Sequence, residues 1–177
     1  RALPEIGLMR YDFISEAPGV WRMLETNTAC PGGTTICAST RDAWLACGPI
    51  GDVGAAFDPI RFPVDDPTGF VRHLYATACR AAGTDQPTIA VLNDRASLTF
   101  EVDLWVRQHE RLRRSGVVGG DFLVGDIREL EVADGRAWLR GAPVALIHNK
   151  VNPVDVLPSD PAVRGWLAAS RTPGVEF

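Results

Sequence analysis

No apolar run in the 177-residue chain approaches the roughly 20 residues that a membrane-crossing helix needs. The N-terminal RALPEIGLMRYDF lacks the basic segment and sustained apolar core of a secretory signal. Four cysteines (Cys30, Cys37, Cys47, Cys79) are too few and too irregularly spaced for a disulfide framework, and no C-x-x-C pair is present for zinc. They read as free thiols in a reducing cytoplasm. The three histidines (His73, His109, His148) form neither H-x-x-x-H nor H-E-x-x-H, which removes the common zinc sites, and His73 and His109 are expected on exposed helix faces. Phosphate loops of the G-x-x-x-x-G-K-[ST] and G-x-G-x-x-G kinds are missing, as is G-x-S-x-G. Positive charge is not in excess: the formal net charge of −4 offers no general attraction to nucleic acid or an anionic membrane. Repeats and low-complexity segments are also absent. The chain begins with Arg1 and ends at RTPGVEF without a polar tail, so it reads as a piece of a longer protein.

What is present is the composition of a globular protein, 46% hydrophobic and 23% charged. The length suits one ordinary core, or a small core with part of a second. Residues 7–14 and 20–27 predict two strands joined by the loop SEAPG. Pairing Ile14 with Trp21 sets Asp12 against Met23 and Arg10 against Glu25. That register gathers Arg10, Asp12, Glu25 and Asn27 on one face and turns Tyr11, Phe13 and Leu24 to the other.

Residues 34–63 are broken by Gly and Pro and read as a connector, with a helical turn or more in TRDAWLAC. Asp66-Pro67 predicts a helix start, and Phe70, Val71, Leu74, Tyr75, Ala78 and Cys79 form its stripe, closed by Gly83. TIAVL predicts a buried parallel strand. A helix follows with Leu98, Val102, Trp105, Val106 and Leu112 on one face and Arg111, Arg113 and Arg114 at its end. VVGGDFLVGDI and ALIH supply strands, Asp134-Gly135 tips a hairpin, and Asp160-Pro161 starts a last helix with Val163, Trp166 and Leu167. The domain plan is a strand pair in 1–50, a connector at 51–65 and a small α/β layer over 66–177.

Glu25 and Asn27, two apart on a strand, form either a solvated face or an oxygen-rich site suited to Mg²⁺ when phosphates complete its coordination. PGGTT can present backbone N–H groups to an anion or serve as a plain turn, and GVVGGD is equally open. Cys30 has no basic partner nearby in sequence. Lys150 ends an apolar strand, where open α/β sheets collect ligand groups, or is a surface lysine.

Taken together, RYDFISEAPGVWRMLETNTACPGG resembles the R-x-D … E-x-N segment of ATP-grasp ligases of the glutathione synthetase, glutathionylspermidine synthetase and circularly permuted types. The block from TIAVLNDRASLTF to ALIHNKVNP resembles the same family's substrate-binding domain, so the resemblance covers most of the chain. It implies an α/β fold: an antiparallel hairpin from an ATP-grasp sheet plus a small open α/β, pre-ATP-grasp-like, substrate domain. The cofactors implied are ATP and Mg²⁺, with Glu25 and Asn27 holding the metal and the nucleotide phosphates. Arg10 takes a substrate carboxylate in the catalytic site, where its planar fork suits bidentate recognition. Thr28, Ala29, Cys30, Gly32 and Gly33 line the substrate pocket, with Lys150 standing where relatives carry arginine.

The chemistry implied is ATP-dependent joining of a carboxylate to an amine through an acyl phosphate. Partners would be small amino-acid or peptide substrates and the remaining half of the ATP-grasp domain, since the nucleotide-gripping lysines and glycine-rich flap do not follow in this sequence. Nucleic acid and membrane are not among them, and a homodimer is left open. The rival expectations are a non-catalytic ligand-binding α/β module and an unrelated domain whose E-x-N is a wet strand face.

Overall fold

The computed structural model describes residues 10–27, 33, 35–47, 66–93, 95, 98–151 and 161–172. The expected connector at 51–65 lies outside them. The chain is mixed α/β and forms two compact units that divide between Gly32 and Gly33.

The first unit contains an antiparallel hairpin of β1 (Arg10–Ala17) and β2 (Val20–Asn27). The expected five-residue loop is shorter. Pro18-Gly19 alone makes the turn, with Gly19 at φ 78°, a conformation glycine takes without steric cost. The expected register is corrected too: Asp12 pairs with Glu25 and Arg10 with Asn27, while Ile14 pairs with Arg22. Two irregularities, at Asp12/Phe13 and at Ser15/Ala17, insert one extra residue on opposite strands and cancel, so the difference comes from the tight turn that pairs Ala17 with Val20. At the open end the strands are slipped by two residues from the expected register, which preserves side-chain parity. The four polar residues therefore still share a face. Tyr11, Phe13, Ile14, Val20, Trp21, Met23 and Leu24 are all exposed.

The second unit begins at Gly33. Within 34–63, read as a connector with a helical turn or more in TRDAWLAC, the helix is longer and starts earlier, as α1 (Ile36–Leu45). Helix α2 (Gly69–Ala82) has Thr68 rather than Asp66 at its N-cap position; the Thr68 side chain caps no helix N–H, and Asp66 Oδ1 accepts the Thr68 N–H at 2.8 Å. Its buried stripe is Phe70, Val71, Leu74 and Ala78, and Gly83 closes it in the left-handed conformation, donating to Cys79 O. Strand β3 (Thr88–Leu92) lies between β4 (Asp121–Gly125) and β8 (Leu146–Asn149), parallel to both. Helix α3 (Phe100–Arg114) makes the crossover from β3 to β4, with Thr99 accepting the Val102 N–H.

A short 3₁₀ turn (Ile127–Glu129) leads into an antiparallel meander of β5 (Leu130–Ala133), β6 (Arg136–Leu139) and β7 (Ala142–Val144). Asp134-Gly135 tips its first hairpin as expected, both at positive φ. Helix α4 (Pro161–Ala169) packs on β5 and the 3₁₀ turn. Its Leu167 is exposed, against expectation, while Ala169 is buried.

Strand alternation divides the core between the two faces of the parallel sheet. Ala90, Leu92 and Ile147 pack with Ile127, Leu130, Ala137, Leu139 and Val144 of the meander side. Ile89, Val91 and His148 point the other way, toward α2 and α3. No helix among the described residues is long and apolar enough to cross a membrane.

Candidate functional site

On the hairpin, the four expected residues meet. Arg10 donates from Nε to Asp12 Oδ1 at 2.8 Å and from Nη2 to Oδ2 at 2.9 Å. Arg10 also stands 3.7 Å from Glu25. The Asn27 amide donates to Glu25 Oε1 at 2.9 Å and reaches Asp12 Oδ2 at 3.4 Å. Hydrogen bonding from Arg10 holds the Asp12 carboxyl below its ordinary value.

Two carboxylates and an amide within reach of each other form a hard-oxygen donor set. Among the described residues no three His, Cys, Asp or Glu side chains gather into a metal cage, so a cation on this set would need further ligands such as phosphate oxygens. The fit asks for two rearrangements. The Asn27 amide must present its oxygen, and the Arg10 fork must leave Asp12 before it can take a substrate carboxylate. Thr28, Ala29, Cys30 and Gly32 lie outside the described residues.

In the second unit the sheet brings its polar residues to the carboxyl ends of its strands. Leu92 is level with Gly125 on one side and Asn149 on the other, so Asn93, Asp126 and Lys150 follow at one edge. The backbone seals this edge: Asn93 N–H donates to Gly125 O at 2.9 Å and Lys150 N–H to Leu92 O at 2.7 Å. Such an edge is where open α/β sheets bind ligands.

Lys150 does not reach outward as a surface lysine. Its Nζ is 3.1 Å from Glu101 Oε2 and 5.4 Å from the centre of the Trp105 ring. The other Glu101 oxygen accepts the Gly33 N–H at 2.7 Å. Trp105 donates from its indole nitrogen to Thr35 at 3.1 Å. Thus Gly33 and Lys150, both expected in a substrate pocket, are brought together by a buried glutamate that the sequence pattern did not single out. A signal was available. Glu101, Trp105, Gln108 and Leu112 fall on one helical stripe, and a carboxylate on a buried stripe requires a partner.

Histidines depart from expectation in part. His73 is exposed as expected, but His109 is buried against Phe122. Burial lowers its pKa. His148 sits edge-on to both Phe70 and Trp105. Burial, aided by the Lys150 charge, lowers its pKa to about 4. Its Nε2 has no hydrogen-bond partner among the described residues.

Asp126 is the best-held carboxylate of the edge. It accepts the backbone N–H groups of Arg95 at 2.6 Å and Arg128 at 2.8 Å, with the Arg128 guanidinium at 3.1 Å. Burial works to raise its pKa, but these donors outweigh it and the carboxyl lies below its ordinary value.

GVVGGD proves to be a packing device. A Cβ on Gly119 would collide with Asp85 O, and one on Gly120 with Pro87 O. An open cavity of about 390 Å³ lies at the opposite end of the sheet, lined by Ala82, Gln86, Thr88, Arg136 and Ala145 among others. The chain matches no protein-family model, and no curated protein matches it.

Proposed function

We propose that this chain carries the metal-site hairpin and the substrate-binding α/β layer of an ATP-grasp carboxylate–amine ligase. The observation that supports it is the meeting of Arg10, Asp12, Glu25 and Asn27 on one hairpin face. Bound Mg²⁺-ATP would supply the phosphoryl group that activates a substrate carboxylate for attack by an amine. Glu25 and Asn27 would hold the cation and the phosphates it bridges. Arg10, released from Asp12, would orient the substrate carboxylate through its planar fork. The exposed apolar side chains of the hairpin fit a reading in which the rest of an ATP-grasp domain packs on it.

The second reading is a ligand-binding module without turnover. It is favoured by the charge balance of the cluster, where Arg10 is already bound to Asp12. Mg²⁺-dependent ATP hydrolysis by the full-length protein, run against a panel of amino acids with Glu25→Ala as control, separates the two. Amine-dependent phosphate release that the substitution abolishes supports the ligase. Ligand binding without hydrolysis under any pairing sinks it in favour of the module.

A further inference from the structure

Three non-glycine residues among those described hold positive φ: Arg95 at 51°, Asp134 at 51° and Arg140 at 52°. Aspartate at a hairpin tip tolerates that conformation. Arg140 is compensated by Glu129, which accepts from Nε at 3.1 Å and from Nη2 at 2.8 Å. Arg95 has neither excuse. Its side chain is exposed and forms no ion pair with a described residue.

Its backbone is fixed all the same, because the Arg95 N–H donates to the buried Asp126 carboxylate at 2.6 Å. A glycine would satisfy that hydrogen bond with less strain, so the guanidinium is what arginine adds. It lies two residues beyond Asn93, past the carboxyl end of the central strand. The other cations there are engaged: Lys150 is bound to Glu101 and Arg128 to Asp126.

We infer that Arg95 recognises an oxyanion, a carboxylate or phosphate of a small ligand, at the carboxyl edge of the β4-β3-β8 sheet. The guanidinium fork matches two oxygens of either group. This goes beyond the ligase reading, for it requires an anionic ligand but no phosphoryl transfer.

The test titrates the whole chain with succinate and, separately, with inorganic phosphate, following the Arg95 side-chain Nε–H resonance by NMR. Saturable movement in one titration is expected, and which anion causes it identifies the group. Arg95→Gly is expected to weaken that binding about tenfold. It should keep or raise the thermal midpoint, since glycine takes this φ freely. Arg95→Lys should recover part of the affinity through its charge. An unmoved resonance in both titrations, or wild-type affinity in Arg95→Gly, overturns the inference. Arg95-dependent binding without amine-dependent ATP hydrolysis would leave it standing while the ligase reading fails.

Discussion

Lys150 Nζ stands 3.1 Å from Glu101 Oε2 with only 13% and 10% of the two side chains exposed, and the second Glu101 oxygen holds the Gly33 N–H. A buried pair of this kind is costly to break from one side, because the remaining charge is left without a partner. Lys150→Ala or Glu101→Ala is therefore expected to destabilise the chain by about 3–5 kcal/mol in urea unfolding. The joint replacement Glu101→Leu with Lys150→Met should cost far less than the sum, as neither charge is then stranded. Additive losses would show that the two groups are not coupled.

His148 gives the fold a pH dependence whose sign follows from its lowered pKa. Unfolded, the ring takes a proton near 6.5; folded, it resists until about 4. Its contribution is complete above 6.5 and is lost as pH falls toward 4, because acid protonates the unfolded chain first. The slope reaches about 1.4 kcal/mol per pH unit. His109 adds in the same direction. Unfolding free energies at pH 7, 6 and 5 should fall less steeply in His148→Phe, which retains an aromatic ring beside Phe70 and Trp105. Parallel slopes in the two proteins would refute the assignment.

Two glycines that look alike in sequence should differ. Gly33 and Gly120 both hold positive φ, but a Cβ on Gly33 meets no atom within 4 Å, whereas one on Gly120 strikes the Pro87 carbonyl. Gly33→Ala should cost about 1 kcal/mol, the backbone strain alone. Gly120→Ala should cost roughly 2–4 kcal/mol, because strand β4 has to move from β3 as well. Equal shifts in thermal midpoint would mean that the close approach is not rigid.

These cases also mark what was legible in the sequence. TIAVL, the Asp134-Gly135 hairpin and the Gly83 stop carry local signals, through apolar continuity and turn chemistry, and each lies where expected. The four-residue hairpin face survived an incorrect register because the slip was even at that end. Long-range facts had no such signature. Gly119-Gly120 is open in sequence between an anion loop and a plain turn, and only Asp85 and Pro87 beside it show the close packing. The ion pair of Lys150 spans 49 positions, and periodicity alone hinted that Glu101 belonged inside. An apolar stripe through Val106 puts His109 outside, whereas the buried face takes in the polar positions Gln108 and His109, which hydrophobicity alone does not mark.

Asp126 supplies the last test, since it accepts two backbone N–H groups and a guanidinium at the sheet edge. Asp126→Ala removes all three acceptor contacts, stranding the donors of Arg95 and Arg128. A loss of about 3 kcal/mol is expected, as hydrogen bonds to a charged group are worth 1.5–3 kcal/mol each and water recovers part. The Arg95 amide should then exchange with solvent much faster, while amides of β3 report only the global loss. Because the folded pKa is lowered, the carboxylate's contribution is present above pH 3.8 and disappears as pH falls through the folded value. If the Arg95 amide of the variant exchanges no faster than the global loss predicts, something other than Asp126 holds that left-handed turn.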